Sequence, residues 1–270
     1  MIAWAAPVVT TTALYLAWVV ATYLLEGLPG TLLRPEATML RALYALGANV
    51  IVGLGGSAMV LAWLARRHPA TPAAAGFRSG SRAVVSVLLG ATLGGLAYWL
   101  QAPPPRPPAV LINSFAQVLT VSAAEVVVCW SLTTAVIAGA CSSLVAWRAR
   151  MLALVPGAVL FGAYHIAHSP PFNTLAMIGL LTGVGLVTGT FYLCTGDVYG
   201  TVVFHNFLGL FGVLDAIDQA GRPVSTLLQV PLVIMGLATL VILILVHRRI
   251  RRNEGALQVL PPELDGHRNL

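Results

Sequence analysis

Long apolar runs alternate along this chain with short polar or proline-containing segments. Because about 20 apolar residues in a helix cross the hydrocarbon core of a bilayer, each long run predicts one transmembrane helix. The predicted spans are residues 3–25, 38–65, 83–101, 117–139, 151–168, 174–196, 198–214 and 226–247. The seventh of them is short and interrupted by glycine. The pattern therefore predicts an all-α fold, a polytopic membrane bundle of about eight transmembrane helices.

The segments between the runs predict one domain. The longest polar segment is the C-terminal one, so we expect a single transmembrane domain over residues 1–247 and a short basic cytoplasmic tail over residues 248–270. The segment APPPRPP, residues 102–108, cannot be helical through its centre because proline lacks a backbone donor and restricts its predecessor. We predict an external linker there, followed by an interfacial segment over residues 109–117.

Composition supports a membrane protein, with 58% hydrophobic residues, 9% charged residues and a mean hydropathy of +0.86. The net charge of +6 arises from fifteen basic residues, all arginine, which cluster at the ends of apolar runs. They indicate topology and no nucleic-acid partner. One side of the predicted bundle carries most of them, which predicts a multi-pass protein of the cell membrane with both termini inside. The absence of lysine is typical of a GC-rich bacterial genome.

Glu125, in VSAAEVVVCWSL, is the exception among nine acidic residues, because the others are predicted at span ends, in loops or in the tail. An ionisable residue inside a span costs about 2.5 to 3.5 kcal/mol on insertion scales and usually faces a cavity or a partner. A functional site is therefore the first hypothesis. The alternative is a protonated glutamate that ties two helices together.

His165 and His205 are the histidines that lie well inside apolar runs, on two further helices. At 1.5 Å per residue, Glu125 and His165 lie about 21 and 22 Å from the side that carries Arg150, and His205 lies about 12 Å along its helix. A solitary membrane histidine usually bonds a neighbouring helix. Three such residues on three helices predict a shared site.

His168 follows His165 by three residues and shares its helical face. Ser169, Pro170 and Pro171 end the helix directly after it, which predicts that His168 lies at the membrane edge. Either it takes part in the site or it is an interfacial capping or gating residue.

Three neighbours of the histidines complete the candidate set of substrate-binding or supporting residues. Asn206 points about 100° around the helix from His205 and either orients a ligand or bonds an adjacent helix. Phe161 and Tyr164 are expected to pack, and Phe161, one turn before His165, could wall a pocket.

A glutamate and two histidines in a membrane cavity are suited to activating water. Glu125 would take a proton from water as general base for attack on an amide, and a histidine would donate to the developing oxyanion. The same Glu125, His165 and His205 would also suit Zn²⁺, with a fourth position for water, as in a metalloprotease. Metal-assisted and metal-independent mechanisms both remain open.

These motifs resemble the CPBP family, the CAAX proteases and bacteriocin-processing enzymes of the Abi group. Its members have about eight spans and carry EExxxR, FxxxH and HxxxN or HxxxD on successive helices of the core. Here FGAYH, residues 161–165, matches FxxxH, and the order of the three motifs matches over a core of about residues 109–214. The resemblance implies an intramembrane protease, a hydrolase acting on a membrane-embedded or lipidated peptide or protein.

The outer two motifs depart from the family pattern. If Glu125 is the second glutamate, Ala124 and Cys129 replace the first glutamate and the arginine; if it is the first, Val126 and Trp130 replace the others. Gly209 stands where Asn or Asp is expected. The departures are compatible with a divergent enzyme, in which His168 and Asn206 substitute, or with a catalytically inactive relative.

Two other functions fit the same residues. His165 and His205 could be axial ligands of a b-type haem in a redox protein, or the three residues could form an ion relay in a transporter. The predicted topology places Glu125 and His165 in the outer half of the bilayer. For a protease, this favours a bacterial peptide, pheromone or bacteriocin-type substrate over a cytosolic prenylated tail.

Overall fold

The computed structural model describes residues 5–67, 71–141, 144–222 and 224–258. Eight helices in these residues are long and apolar enough to cross a membrane, which confirms the all-α, multi-pass bundle. In chain order they are α1 (Ala5–Leu33), α2 (Thr38–Arg67), α3 (Ser81–Leu100), α4 (Pro108–Ala140), α5 (Ala146–Ala167), α6 (Leu175–Thr195), α7 (Val198–Gln219) and α8 (Val230–Gln258).

Helix α4 differs from its predicted bounds. It begins at Pro108, so residues 109–117 form its first turns, and the predicted interfacial segment is helical and continuous with the span. Proline is favoured at the first helical position because the backbone donor it lacks has no partner there. With 33 residues, α4 is about 50 Å long and exceeds the hydrocarbon thickness.

Helices α7 and α8 are among those that extend further than predicted. Helix α7 reaches Gln219 and α8 reaches Gln258, so the first part of the predicted tail, from residue 248, continues the last helix. Residues 259–270 of that tail lie outside the described residues. The proline-rich segment before α4 is non-helical, as predicted.

Helix α4 forms the centre of the bundle and is the most deeply buried of the eight spans. It packs against α2, α7 and α8. The residues around Glu125 belong to one large core, in which Ala123, Ala124 and Val126 are wholly buried. A polar side chain at this position consequently has to find its partners inside the protein.

Glycines allow α3 and α7 to cross closely. A Cβ atom added to Gly90 would lie 2.3 Å from the carbonyl oxygen of Gly200, and one added to Gly200 would lie 2.0 Å from Oγ of Ser86. Small residues at such crossings let helix backbones approach in a membrane, where packing replaces the hydrophobic effect between helices. This crossing holds the helix that carries His205.

Candidate functional site

The structure brings together the three residues predicted to share a site. Helices α4, α5 and α7 place Glu125, His165 and His205 so that Oε2 of Glu125 lies 2.9 Å from Nε2 of His205. Oε1 of the same carboxylate lies 3.8 Å from Nε2 of His165. Their exposed fractions are 5%, 7% and 2%. One carboxylate therefore stands between two imidazoles in the interior of the bundle.

Irregular helix geometry accompanies two of these residues. A π-helical segment, Val127–Leu132, begins two residues after Glu125, and His165 opens the 3₁₀ turn that ends α5. Such departures from α-helical geometry frequently occur at functional sites. Helix α7 is regular, and Asp197 caps its start by accepting a hydrogen bond from the backbone N–H of Gly200 at 2.8 Å.

His205 is held from both ring nitrogens. Its Nδ1 lies 2.8 Å from the hydroxyl of Thr188 in α6, while Nε2 meets Glu125. An ionised Glu125 can only accept a hydrogen bond, which puts the ring proton of His205 on Nε2. Nδ1 then accepts a hydrogen bond from the Thr188 hydroxyl. Thr188 was not predicted, because a threonine in an apolar helix carries no distinguishing sequence signal.

His165 has the opposite tautomer. Its Nδ1–H donates to the carbonyl of Phe161 at 2.8 Å, because a carbonyl can only accept. In the neutral ring, Nε2 consequently carries the lone pair on the side of Glu125. His165 also stacks on His168, with ring centroids 4.8 Å apart and planes inclined by 20°.

His168 directly follows the end of α5, and its side chain is turned towards the protein interior. It is 3% exposed and faces into the bundle. Its Nε2 lies 3.2 Å from the hydroxyl of Tyr44, which lies 3.3 Å from the hydroxyl of Tyr164. Burial, together with His165, lowers the pKa of His168 well below its ordinary value. His168 is therefore a neutral ring beside the site.

The remaining predicted residues separate into two groups. Phe161 lines the cavity beside Glu125, whereas Tyr164 packs with its ring stacked on Trp18 at 3.7 Å. The amide of Asn206 donates to the carbonyl of Phe115 at 3.5 Å, across the contact between α7 and α4. Asn206 is thus placed as a helix-to-helix bond and does not line the cavity.

A cavity of about 250 Å³ leads to the site. Glu125, His165, His168 and His205 supply polar groups to a lining that is otherwise largely apolar. Gln101, Asp215 and Gln219 also line it, and they are exposed. They lie at or near the end of the bundle where α3 and α7 terminate, which we call the Gln101 end. The buried carboxylate is thus reachable from that end.

The structure shows what surrounds Gly209 and Trp130, two positions at which the chain departs from the family motifs. Gly209 lies on the cavity wall, where an added Cβ would meet Cγ1 of Val118 at 2.8 Å. Trp130 is buried with its ring 5.5 Å from Phe161 and 5.8 Å from His205. An indole thus fills the space beside His205, and a close neighbour restricts the space at Gly209.

Glu26 is a second buried carboxylate, at a position where the sequence predicts the end of a span. It lies in the π-helical end of α1 and is 0% exposed. Its two oxygens accept from the backbone N–H of Ser169 at 2.9 Å and from the Ser169 hydroxyl at 2.6 Å. Glu26 therefore anchors the turn that directly follows His168.

In this structure Glu125 and His205 are closer together than two ligands of one Zn²⁺ ion would be. Neighbouring ligands of tetrahedral Zn²⁺ lie about 3.3 Å apart for bonds of about 2.0 to 2.1 Å. The separation of 2.9 Å between Glu125 and His205 is instead that of a hydrogen bond. Within the described ranges, no group of three or more His, Cys, Asp and Glu side chains is placed to hold a metal ion.

Comparison of the chain with family models, curated proteins and solved structures gives no match. The resemblance to the CPBP family therefore rests on the three motifs and stays a prediction.

Proposed function

We propose that this membrane protein is an intramembrane endopeptidase of the CPBP type, in which Glu125 activates a water molecule. The supporting observation is the position of the Glu125 carboxylate between the Nε2 atoms of His165 and His205, on three separate spans, at the wall of a cavity. The carboxylate is bonded to one imidazole and faces the second across a gap, at a place where a substrate could enter.

The spacing of Glu125 and His165 suits one water molecule. Oε1 of Glu125 and Nε2 of His165 are 3.8 Å apart, which is too far for a direct hydrogen bond. A water bonded to both at about 2.8 Å fits this separation. Its two O–H groups would point to Oε1 of Glu125 and Nε2 of His165. A lone pair would then be directed at a substrate carbonyl in the cavity.

In the proposed reaction, the water oxygen attacks the peptide carbonyl carbon while its proton passes to Oε1 of Glu125. When the C–N bond breaks, that proton passes to the leaving nitrogen, so the products are a carboxylic acid and an amine. His205 keeps Oε2 engaged through its Nε2–H. Neutral His165 accepts at Nε2 and orients the water; it would donate to an oxyanion only when protonated.

The cavity walls define the substrate class. Apolar side chains such as Val118, Leu181 and Val184 face the cavity, and polar residues lie towards the Gln101 end. These walls suit an apolar segment of a membrane-embedded or lipidated peptide. If the arginine distribution sets the orientation, the cavity opens to the outside of a bacterial cell membrane. A secreted peptide, pheromone or bacteriocin-type substrate then fits best.

The test uses the purified full chain in nanodiscs, with internally quenched apolar peptides as probes, each with and without an S-farnesyl cysteine. Glu125→Gln should reduce cleavage by at least about 100-fold, because removing a general base typically costs that much. Glu36→Gln, at an exposed carboxylate, is the matched control. Cleavage that survives in Glu125→Gln would refute the mechanism.

Further readouts distinguish the alternatives. Binding of the peptides without cleavage by the wild-type protein would support a non-catalytic relative, and a Soret band in the purified protein would support a haem protein. Loss of cleavage with a zinc chelator, restored by Zn²⁺, would support the metal-assisted mechanism. We expect no effect of the chelator, given the hydrogen-bond separation of Glu125 and His205.

A further inference from the structure

One face of helix α7 lines the cavity from the candidate site to the mouth. The stripe begins at His205 and continues through Gly209, Gly212, Asp215 and Gln219. Residues three or four positions apart share one face of a helix. His205 is buried, whereas Asp215 and Gln219 are exposed. The stripe therefore runs from the bundle interior to the end where α7 terminates.

Asp215 places a carboxylate at the mouth of this cavity. Its Oδ2 accepts a hydrogen bond from Nε2 of Gln219 at 2.7 Å, one turn further along the helix. No arginine belongs to the described residues that line the cavity. The arginine of the linker before α4, Arg106, is paired with Asp218, which does not line the cavity. Asp215 is thus the acidic group that an entering substrate meets first.

The helix sets the distance between this carboxylate and the candidate site. Asp215 follows His205 by ten residues, which is about 15 Å along the helix axis. An extended peptide advances about 3.3 Å per residue, so four or five residues cover this distance. A substrate in extended conformation whose cleaved bond lies beside Glu125 and His205 would therefore bring its fourth or fifth residue from that bond to Asp215.

The part of α7 between the two residues is apolar. From Leu208 to Val213 it contributes no polar side chain to the cavity. A charge at the mouth of an apolar cleft attracts an opposite charge more strongly than one on an open surface does. Lysine and arginine can lie along apolar walls with their stems while their charged ends reach a carboxylate.

We propose, on the basis of the proposed function, that Asp215 determines part of the substrate specificity. It selects peptides that carry a lysine or arginine four or five residues from the cleaved bond, with apolar residues between the two.

The experiment uses the full chain in nanodiscs of neutral lipid and the internally quenched apolar peptides. Mass spectrometry first locates the bond that is cleaved in an uncharged peptide. Lysine, glutamine or glutamate is then placed two, four, five or eight residues from that bond, on either side. kcat/KM is measured for wild type, Asp215→Asn, Asp215→Lys and Glu36→Gln. Glu36 is the matched control, because it is an exposed carboxylate that does not line the cavity.

In the wild-type protein, lysine four or five residues from the bond, on one side of it, should raise kcat/KM about threefold over glutamine, as expected for a surface ion pair. Lysine at two or eight residues should give no such gain. Asp215→Asn should cleave the lysine and glutamine peptides equally well, and Asp215→Lys should prefer glutamate at the same position. Glu36→Gln should keep the preference of the wild type. Absence of a lysine preference in the wild type, or its persistence in Asp215→Asn, would refute the role of Asp215.

Binding separates this role from the proposed reaction. Affinities of the same peptides are measured for Glu125→Gln, with and without Asp215→Asn. Lysine peptides should bind about threefold more tightly than glutamine peptides, and only when Asp215 is present. If the wild type cleaved no peptide, the proposed function would fail while this preference could still be observed. Equal binding of the two peptides would refute the role of Asp215 whether or not cleavage occurs.

Discussion

Nε2 of His205 lies 2.9 Å from Oε2 of Glu125, although 80 residues separate them in the chain. Glu125 is on the central helix α4 and His205 is on α7, which packs beside it. A buried carboxylate without a partner is costly in a protein interior and more so in a membrane. The contact therefore explains how α4 accommodates an ionisable residue, and it leaves the second carboxylate oxygen available to the cavity.

Removing the Thr188 hydroxyl should disturb the orientation of the His205 ring. The substitution removes no group that would contact the proposed substrate. Thr188→Val leaves Nδ1 of His205 without its 2.8 Å partner. We expect kcat on the quenched peptides to fall about tenfold with little change in KM, the effect of losing one buried hydrogen bond.

The matched control is Thr190→Val, because the Thr190 hydroxyl bonds the Leu186 carbonyl of its own helix at an exposed position. The ring ¹⁵N chemical shifts of His205 should change in Thr188→Val alone. Unchanged shifts and activity in that variant would show that Thr188 does not orient the imidazole.

Replacing the second buried carboxylate should lower stability. In Glu26→Gln, one of the two oxygens that accept from Ser169 becomes an amide donor. We expect a loss of about 1 to 3 kcal/mol, the cost of an unsatisfied buried polar group. Thermal unfolding of the detergent-solubilised protein measures the effect.

Glu36→Gln provides the comparison, because Glu36 is exposed and should tolerate the change. Ser169→Ala disrupts the same contact, so the double variant should be less destabilised than the sum of the single ones. Additive losses would mean that Glu26 and Ser169 stabilise the protein independently.

The glycine crossing of α3 and α7 should be sensitive to a single methyl group. A Cβ at position 90 would lie 2.3 Å from the backbone oxygen of Gly200, so Gly90→Ala must push the two helices apart. We expect a lower melting temperature and a poorer yield of folded protein.

Gly95→Ala is the control in the same helix, since an added Cβ meets no atom within 4 Å there. That change should be neutral or stabilising by up to about 1 kcal/mol, through helix propensity. Similar behaviour of the two variants would contradict the close crossing.

Asp197, between α6 and α7, should make stability depend on pH. Burial raises its pKa from 3.8 to about 6. Between pH 4 and pH 6, Asp197 is protonated in the folded protein and ionised in the unfolded chain. The free energy of unfolding therefore falls as pH rises from about 4 to about 6. Asn can retain the cap without the charge.

Asp197→Asn should therefore be more stable than wild type at pH 7.5, by up to about 3 kcal/mol, and nearly equal to it near pH 4. Melting temperatures of both proteins across this range measure the difference. Asp215→Asn, at an exposed position, is the control. A constant difference between Asp197→Asn and wild type would contradict the raised pKa.

Much of the fold was predictable because membrane insertion is a local property. The length and polarity of each apolar run decide whether a segment crosses the bilayer, and the eight predicted spans correspond to the eight helices. The ends were less predictable. The short seventh run became the helix that extends to Gln219, because its last turns bury Ala216 and Ile217 in the core while their polar neighbours stay exposed.

The sequence by itself also singled out Glu125, His165 and His205, because ionisable residues in apolar runs are rare for energetic reasons. Only the tertiary structure decided how they are arranged, with one carboxylate between two imidazoles. It also identified Thr188 as the hydrogen-bond partner of His205 and Tyr44 as that of His168. It also revealed that Glu26 is buried and that His168 faces inward. Contacts between distant helices depend on rotation and crossing angle, which no local pattern of residues specifies.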